Sequence, residues 1–129
     1  MSDTTRSGIV PATSRQAAPS LQGFASAAIE ADGIYLSALA AIDQLEVQTR
    51  NSIYKLTMLG GGRVLVLGGA FFPVWTEAVL AGSTLGGSFL KIGWVGSGFC
   101  MEFLHAGQRI VTTRAREIRK IDSAEASVS

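Results

Sequence analysis

Residues 82–104, GSTLGGSFLKIGWVGSGFCMEFL, decide how this chain folds. The stretch is dense in glycine and carries only two charges, Lys91 and Glu102. Glycine at that density serves backbone shape: sharp turns, positive φ and close approach of another segment. The phenylalanine, tryptophan, methionine and leucine between the glycines need burial. Together they read as the bends and closing strand of a small, curled β-structure. Residues 98–104 alternate, with Phe99, Met101 and Phe103 on one face and Cys100, Glu102 and Leu104 on the other.

Outward from this stretch the period stays at two. Downstream, residues 105–108 turn the chain and 109–118 return as a last strand. Its Thr112, Arg114 and Arg116 are expected opposite Val111, Thr113 and Ala115. Upstream, residues 53–59 alternate, with Tyr54, Leu56 and Met58 on one face. Gly60-Gly61-Gly62 makes a turn, and RVLVL (63–67) is apolar on both faces, as a central strand is. Pro73 excludes a central strand at 71–73, and WTEAVLA (75–81) follows as a short strand. Five or six strands in about seventy residues have the spacing of a barrel or sandwich. Closure would remove the edges that such apolar strands could not leave open.

Before residue 47 the pattern is helical. Leu21, Phe24 and Ala28 lie at i, i+3 and i+7, and Leu36, Leu39, Ile42 and Leu45 continue in steps of three. Asp32-Gly33 breaks the run in two, since glycine costs a helix roughly 1 kcal/mol. The second piece, 34–44, is expected as a helix that lids the barrel or meets a partner. The expected organisation is a disordered tail over 1–20, a helical segment over 21–46, a mainly β, barrel-like domain over 47–118 and a polar tail over 119–129.

Composition narrows the function classes. The apolar content of 47% supports a core, and the charged fraction of 16% falls well below the ~25% usual for soluble domains. Self-association is the simple way to satisfy such a surface. Net charge is +1, but it is divided: residues 1–49 carry net −3, 50–121 net +6 and 122–129 net −2. Residues 1–20 lack the apolar core of a secretory signal, and the single cysteine, Cys100, forms no internal disulfide, so a cytoplasmic location is expected. The longest uncharged runs, thirteen residues at 64–76 and 78–90, fall short of the ~18 a membrane helix needs.

The series TRNS-x-Y (49–54), GG-x-FFP (68–73), GSTLGGSFLKIGW (82–94), G-x-x-MEF (98–103) and IVTT (110–113) resembles a group of small bacterial proteins. The resemblance spans residues 45–118. It implies a compact β-domain and brings no activity with it. More remotely, LK-x-G-x-x-x-x-G-x-x-M-E (90–102) is similar to hairpins of translation-factor-type barrels, at the level of fold alone.

Candidate chemistry is sparse. Residues 82–88 have the glycine spacing of a phosphate loop, but the lysine between Gly87 and Ser88 is missing. Cys100 and His105 are the only cysteine and histidine. As a nucleophile pair they would need hydrogen-bond reach, whereas a thiol in an apolar strand is usually packing. One of each makes no tetrahedral metal site, so no metal or cofactor is expected. Glu102 and Glu77 could each be an acid of raised pKa; the competing reading is a carboxylate that points to solvent or pairs with a basic neighbour such as Arg109 or Arg114. Arg50, Asn51, Ser52 and Tyr54 offer a guanidinium, an amide and hydroxyls for an anionic or sugar-like ligand. The competing reading is a turn that satisfies itself. Arg109, Arg114 and Arg116 could form a basic face that suits nucleic acid or another anion; the competing reading is a solvated last strand with gatekeeper charges. Phe71, Phe72 and Trp75, with Leu36 and Leu39 of the helical stripe, form the expected interaction surface. The sequence thus points to a non-catalytic, self-associating interaction module, with anion binding through the basic face as the alternative.

Overall fold

The computed structural model describes residues 20–86 and 89–121. Ser20 caps helix α1 (Leu21–Glu30), its Oγ accepting from the Gly23 amide at 3.0 Å. Then come β1 (Gly33–Tyr35), a 3-10 turn (Leu36–Ala38), β2 (Gln44–Thr49), β3 (Ile53–Gly60), β4 (Arg63–Gly68) and β5 (Phe72–Leu85). The chain continues with β6 (Phe89–Ile92), β7 (Trp94–Gly96), β8 (Cys100–His105) and β9 (Gln108–Ile121).

Six strands pair antiparallel around a ring in the order β2, β3, β4, β5, β8, β9, and β9 returns to β2. Strand β6 adds to β5 outside that ring. The mainly β, barrel-like reading of the sequence therefore holds. The side chains of Leu45, Val47, Leu56, Val64, Val66, Phe72, Leu80, Met101 and Phe103 fill the interior and are almost wholly buried. Each contributes about 1.5–3 kcal/mol by leaving water.

One end of the ring is closed by the β1–β7 pair, whose Val95 and the neighbouring Leu36 reach the main core. Trp94 lies across Gly33 and Gly96, where any Cβ would strike its indole. Phe99 meets Trp94 edge-on at 5.2 Å, and Phe24 of α1 meets Phe99 at 5.6 Å. This second cluster seats the helix.

Three expectations change. Residues 34–44 form no α-helix, only the short 3-10 turn at Leu36–Ala38. Gly33 must lie flat against the Trp94 indole, and Ile34, Leu36 and Leu39 all pack on the barrel core, which an extended segment with one tight turn achieves. The Ala40 amide donates to the Asp43 carboxylate at 2.8 Å, and period two starts at Gln44 instead of 47. The strand expected at 75–81 extends over Phe72–Leu85. Pro73 is accommodated because β5 gains its second neighbour, β8, only from Val79 onward. The last strand runs to Ile121, beyond the boundary at 118, and two register shifts break its alternation. The expected 1–20 tail lies outside the described residues except for Ser20, as do residues 122–129. Among the described residues no helix is long and apolar enough to cross a membrane.

Candidate anion-binding cleft

The two irregularities in β9, at Val111/Arg114 and at Ala115/Glu117, arrange the surface beside the end of β2. A bulge leaves a residue unpaired and re-aims its neighbours. Thr112 is turned inward, where its hydroxyl accepts from the Met101 amide at 3.0 Å and donates to the Thr113 carbonyl at 2.7 Å. This corrects the expected grouping of Thr112 with Arg114 and Arg116, both of which are exposed. Ala115 pairs with Thr49, which brings Arg50 alongside. The loop after β7 is tied to the same place, since the Gly98 amide donates to the Ala115 carbonyl at 2.7 Å.

The result is a cleft of about 640 Å³ lined by Arg50, Arg114 and Arg116, together with Gly98, Cys100 and Thr113. No ion pair holds any of the three arginines among the described residues. The other basic side chains of the β-region are mostly engaged. Arg109 meets Glu102 at 2.9 Å, Arg63 meets Glu77 at 2.9 Å, Arg119 meets Glu46 at 3.6 Å and Lys120 meets Asp43 at 3.6 Å. The carboxylate pairing expected of Glu102 and Glu77 is thus present. The basic face is divided: Arg114 and Arg116 join Arg50, while Arg109 belongs to Glu102.

The polar cluster at 50–54 also divides. Ser52 donates its amide to the Thr49 hydroxyl at 3.2 Å, and the Ser52 carbonyl accepts from the Thr49 amide at 2.8 Å. Tyr54 is a core residue, its phenol so close to Gly69 that a side chain there could not fit. Burial pushes the Tyr54 phenol above its ordinary value, and a hydrogen bond with Ser52 opposes that shift. Asn51 is exposed on the turn. Of the four, Arg50 alone reaches the cleft, because the other three belong to the turn and the core.

Cys100 and His105 are not brought together. They occupy opposite ends of β8, five strand steps of about 3.3 Å apart. His105 places Nδ1 3.2 Å from the Glu77 carbonyl and its ring against Phe72. Burial pushes the Cys100 thiol up, and the Arg114 guanidinium opposes this. The phosphate-loop spacing at 82–88 has no helix after it, since β6 begins at Phe89. No group of three metal-ligating side chains occurs among the described residues.

The expected interaction surface needs correction as well. Phe72 is wholly buried, Leu36 is buried and Leu39 is half-buried against the core, because the barrel interior claims all three. Phe71 and Trp75 are exposed, together with Val74. The sequence pattern contained the three cleft arginines, but nothing in it announced the bulges that gather them. No family model, curated protein or solved structure matches the chain.

Proposed function

We propose that the protein is a non-catalytic binding module that takes an anionic ligand between Arg50, Arg114 and Arg116. One observation carries the reading: three guanidiniums, Arg50 from the turn between β2 and β3 and Arg114 and Arg116 from β9, line one concavity without carboxylate partners among the described residues. Guanidinium remains charged at any ordinary pH, and its planar fork matches phosphate and carboxylate oxygens. Beside the arginines lies the Cys100 thiol, which burial pushes up and the Arg114 guanidinium holds down. Calorimetric titration with inorganic pyrophosphate and with a single-stranded oligonucleotide tests it. Binding to either should weaken steeply with salt. Three phosphate contacts give the oligonucleotide a log–log slope of about −2. No heat and no shift with either probe at low salt would remove the proposal.

A second reading is self-association in the cytoplasm. It is supported by the exposure of Phe71, Val74 and Trp75 at 57%, 67% and 46%, an apolar group at the start of β5. Light scattering of the purified protein tests it, and a monomer at every micromolar concentration would end it.

A further inference from the structure

The geometry points to β6 as the seam of a two-fold dimer, in which β6 of one copy pairs antiparallel with β6 of the other. The inference gives the second reading, self-association, a definite surface. A dimer that meets elsewhere would keep that reading and overturn this one.

Ring closure leaves the seven-stranded sheet with one terminal strand. Strand β6 pairs with β5 on one side, and among the described residues no strand pairs with its other side. A strand edge with unpaired amides and carbonyls templates another strand. Natural edges are commonly guarded by an outward lysine. Here the only charge on β6 is turned away from that task. The Lys91 ammonium sits 4.9 Å from the Trp94 ring and 5.3 Å from the Tyr35 ring, held over their faces. The residues that do face solvent are Leu90 and Ile92, at 36% and 77% exposure.

The strand is compatible with its own copy. Directly opposed residues in an antiparallel pair share a face, so a two-fold axis must pass through a residue position. Centred on Lys91, the pairing sets Leu90 against the partner's Ile92, and Ile92 against the partner's Leu90. Both apolar pairs lie on one face. The two Lys91 residues fall directly opposite each other on the other face, a like-charge pair whose cost is lowered because each ammonium is drawn over its own aromatic rings. An isologous seam consumes both edges at once and therefore closes the assembly at two copies.

Light scattering across a range of concentrations, on the wild type, Ile92→Lys and Phe71→Ser, tests the seam. Wild type at twice the chain mass and Ile92→Lys weakened by roughly tenfold or more is the expected result, with Phe71→Ser unchanged. A wild-type monomer throughout overturns it. So does a dimer that survives Ile92→Lys, including one dissolved instead by Phe71→Ser. Hydrogen exchange on the wild type supplies a readout independent of any variant's folding. The β6 amides should gain protection as concentration rises, and protection that ignores concentration overturns the seam.

Discussion

At the scale of single residues, Arg114 has two jobs that can be measured apart. It lines the cleft, and its charge holds down a thiol that burial pushes up. Arg114→Ala should weaken pyrophosphate binding by about tenfold, the order of one lost charge-assisted contact. It should also move the pH midpoint of Cys100 alkylation upward, because the opposing charge is gone. Unchanged alkylation in a variant that no longer binds would separate the thiol from the cleft. Cys100 and Tyr54 are both raised by burial, so the folded chain holds these protons more tightly than the unfolded chain. Their stabilising contribution is complete below the unfolded values and is lost as pH climbs through the folded ones. Denaturant titrations should show stability falling above pH 9.0, the thiol's ordinary value, with Tyr54→Phe removing the later part of the fall. Arg50 shows how far residue-level reading reached. Its chemistry was plain in the sequence, but its separation from Ser52 and Tyr54 depends on which side chains the barrel core claimed.

At the scale of elements, the curled strand β5 rests on Gly82. Its φ is +150° and a Cβ would strike the Lys91 carbonyl oxygen, where β6 folds back against a register shift between β5 and β8. Gly82→Ala should cost more than about 2 kcal/mol, since neither backbone can yield without unpairing. Thermal unfolding measures it, and a loss of only a few tenths would show that the strand relaxes around the methyl. Trp94 is the equivalent fixture for α1. Trp94→Ala should cost about 3–5 kcal/mol and detach the helix from its seat, visible as lost helical ellipticity. The density of glycine in 82–104 was legible because it has a single physical use. The segment 34–44 was misread because residues at steps of three suit a helix and also suit a turn that drops Leu36 and Leu39 into a barrel mouth. Spacing alone carries no information about Trp94, fifty to sixty residues away, whose indole leaves no room for a side chain at Gly33.

At the scale of the whole molecule, closure depends on β9, which serves β8 with its first half and β2 with its second. Ending the chain after residue 114 removes every β2–β9 pair and leaves β2 and the remaining half of β9 with open edges. Such a chain should lose cooperative unfolding altogether; a sharp transition would mean that the ring is dispensable. Ring closure was foreseeable from the apolar strands, which needed partners on both sides. The order of strands was not, because β2 and β9 lie far apart in sequence and alternation does not specify neighbours. The two tryptophans sit in opposite circumstances, Trp94 at 4% exposure, edge-on to Phe99 and under the Lys91 ammonium, and Trp75 at 46% near the start of β5. Their emission should therefore divide into a blue component shielded from acrylamide and a red component open to it. The end plug and the barrel rim can then be watched separately, in one unlabelled sample, as the protein unfolds.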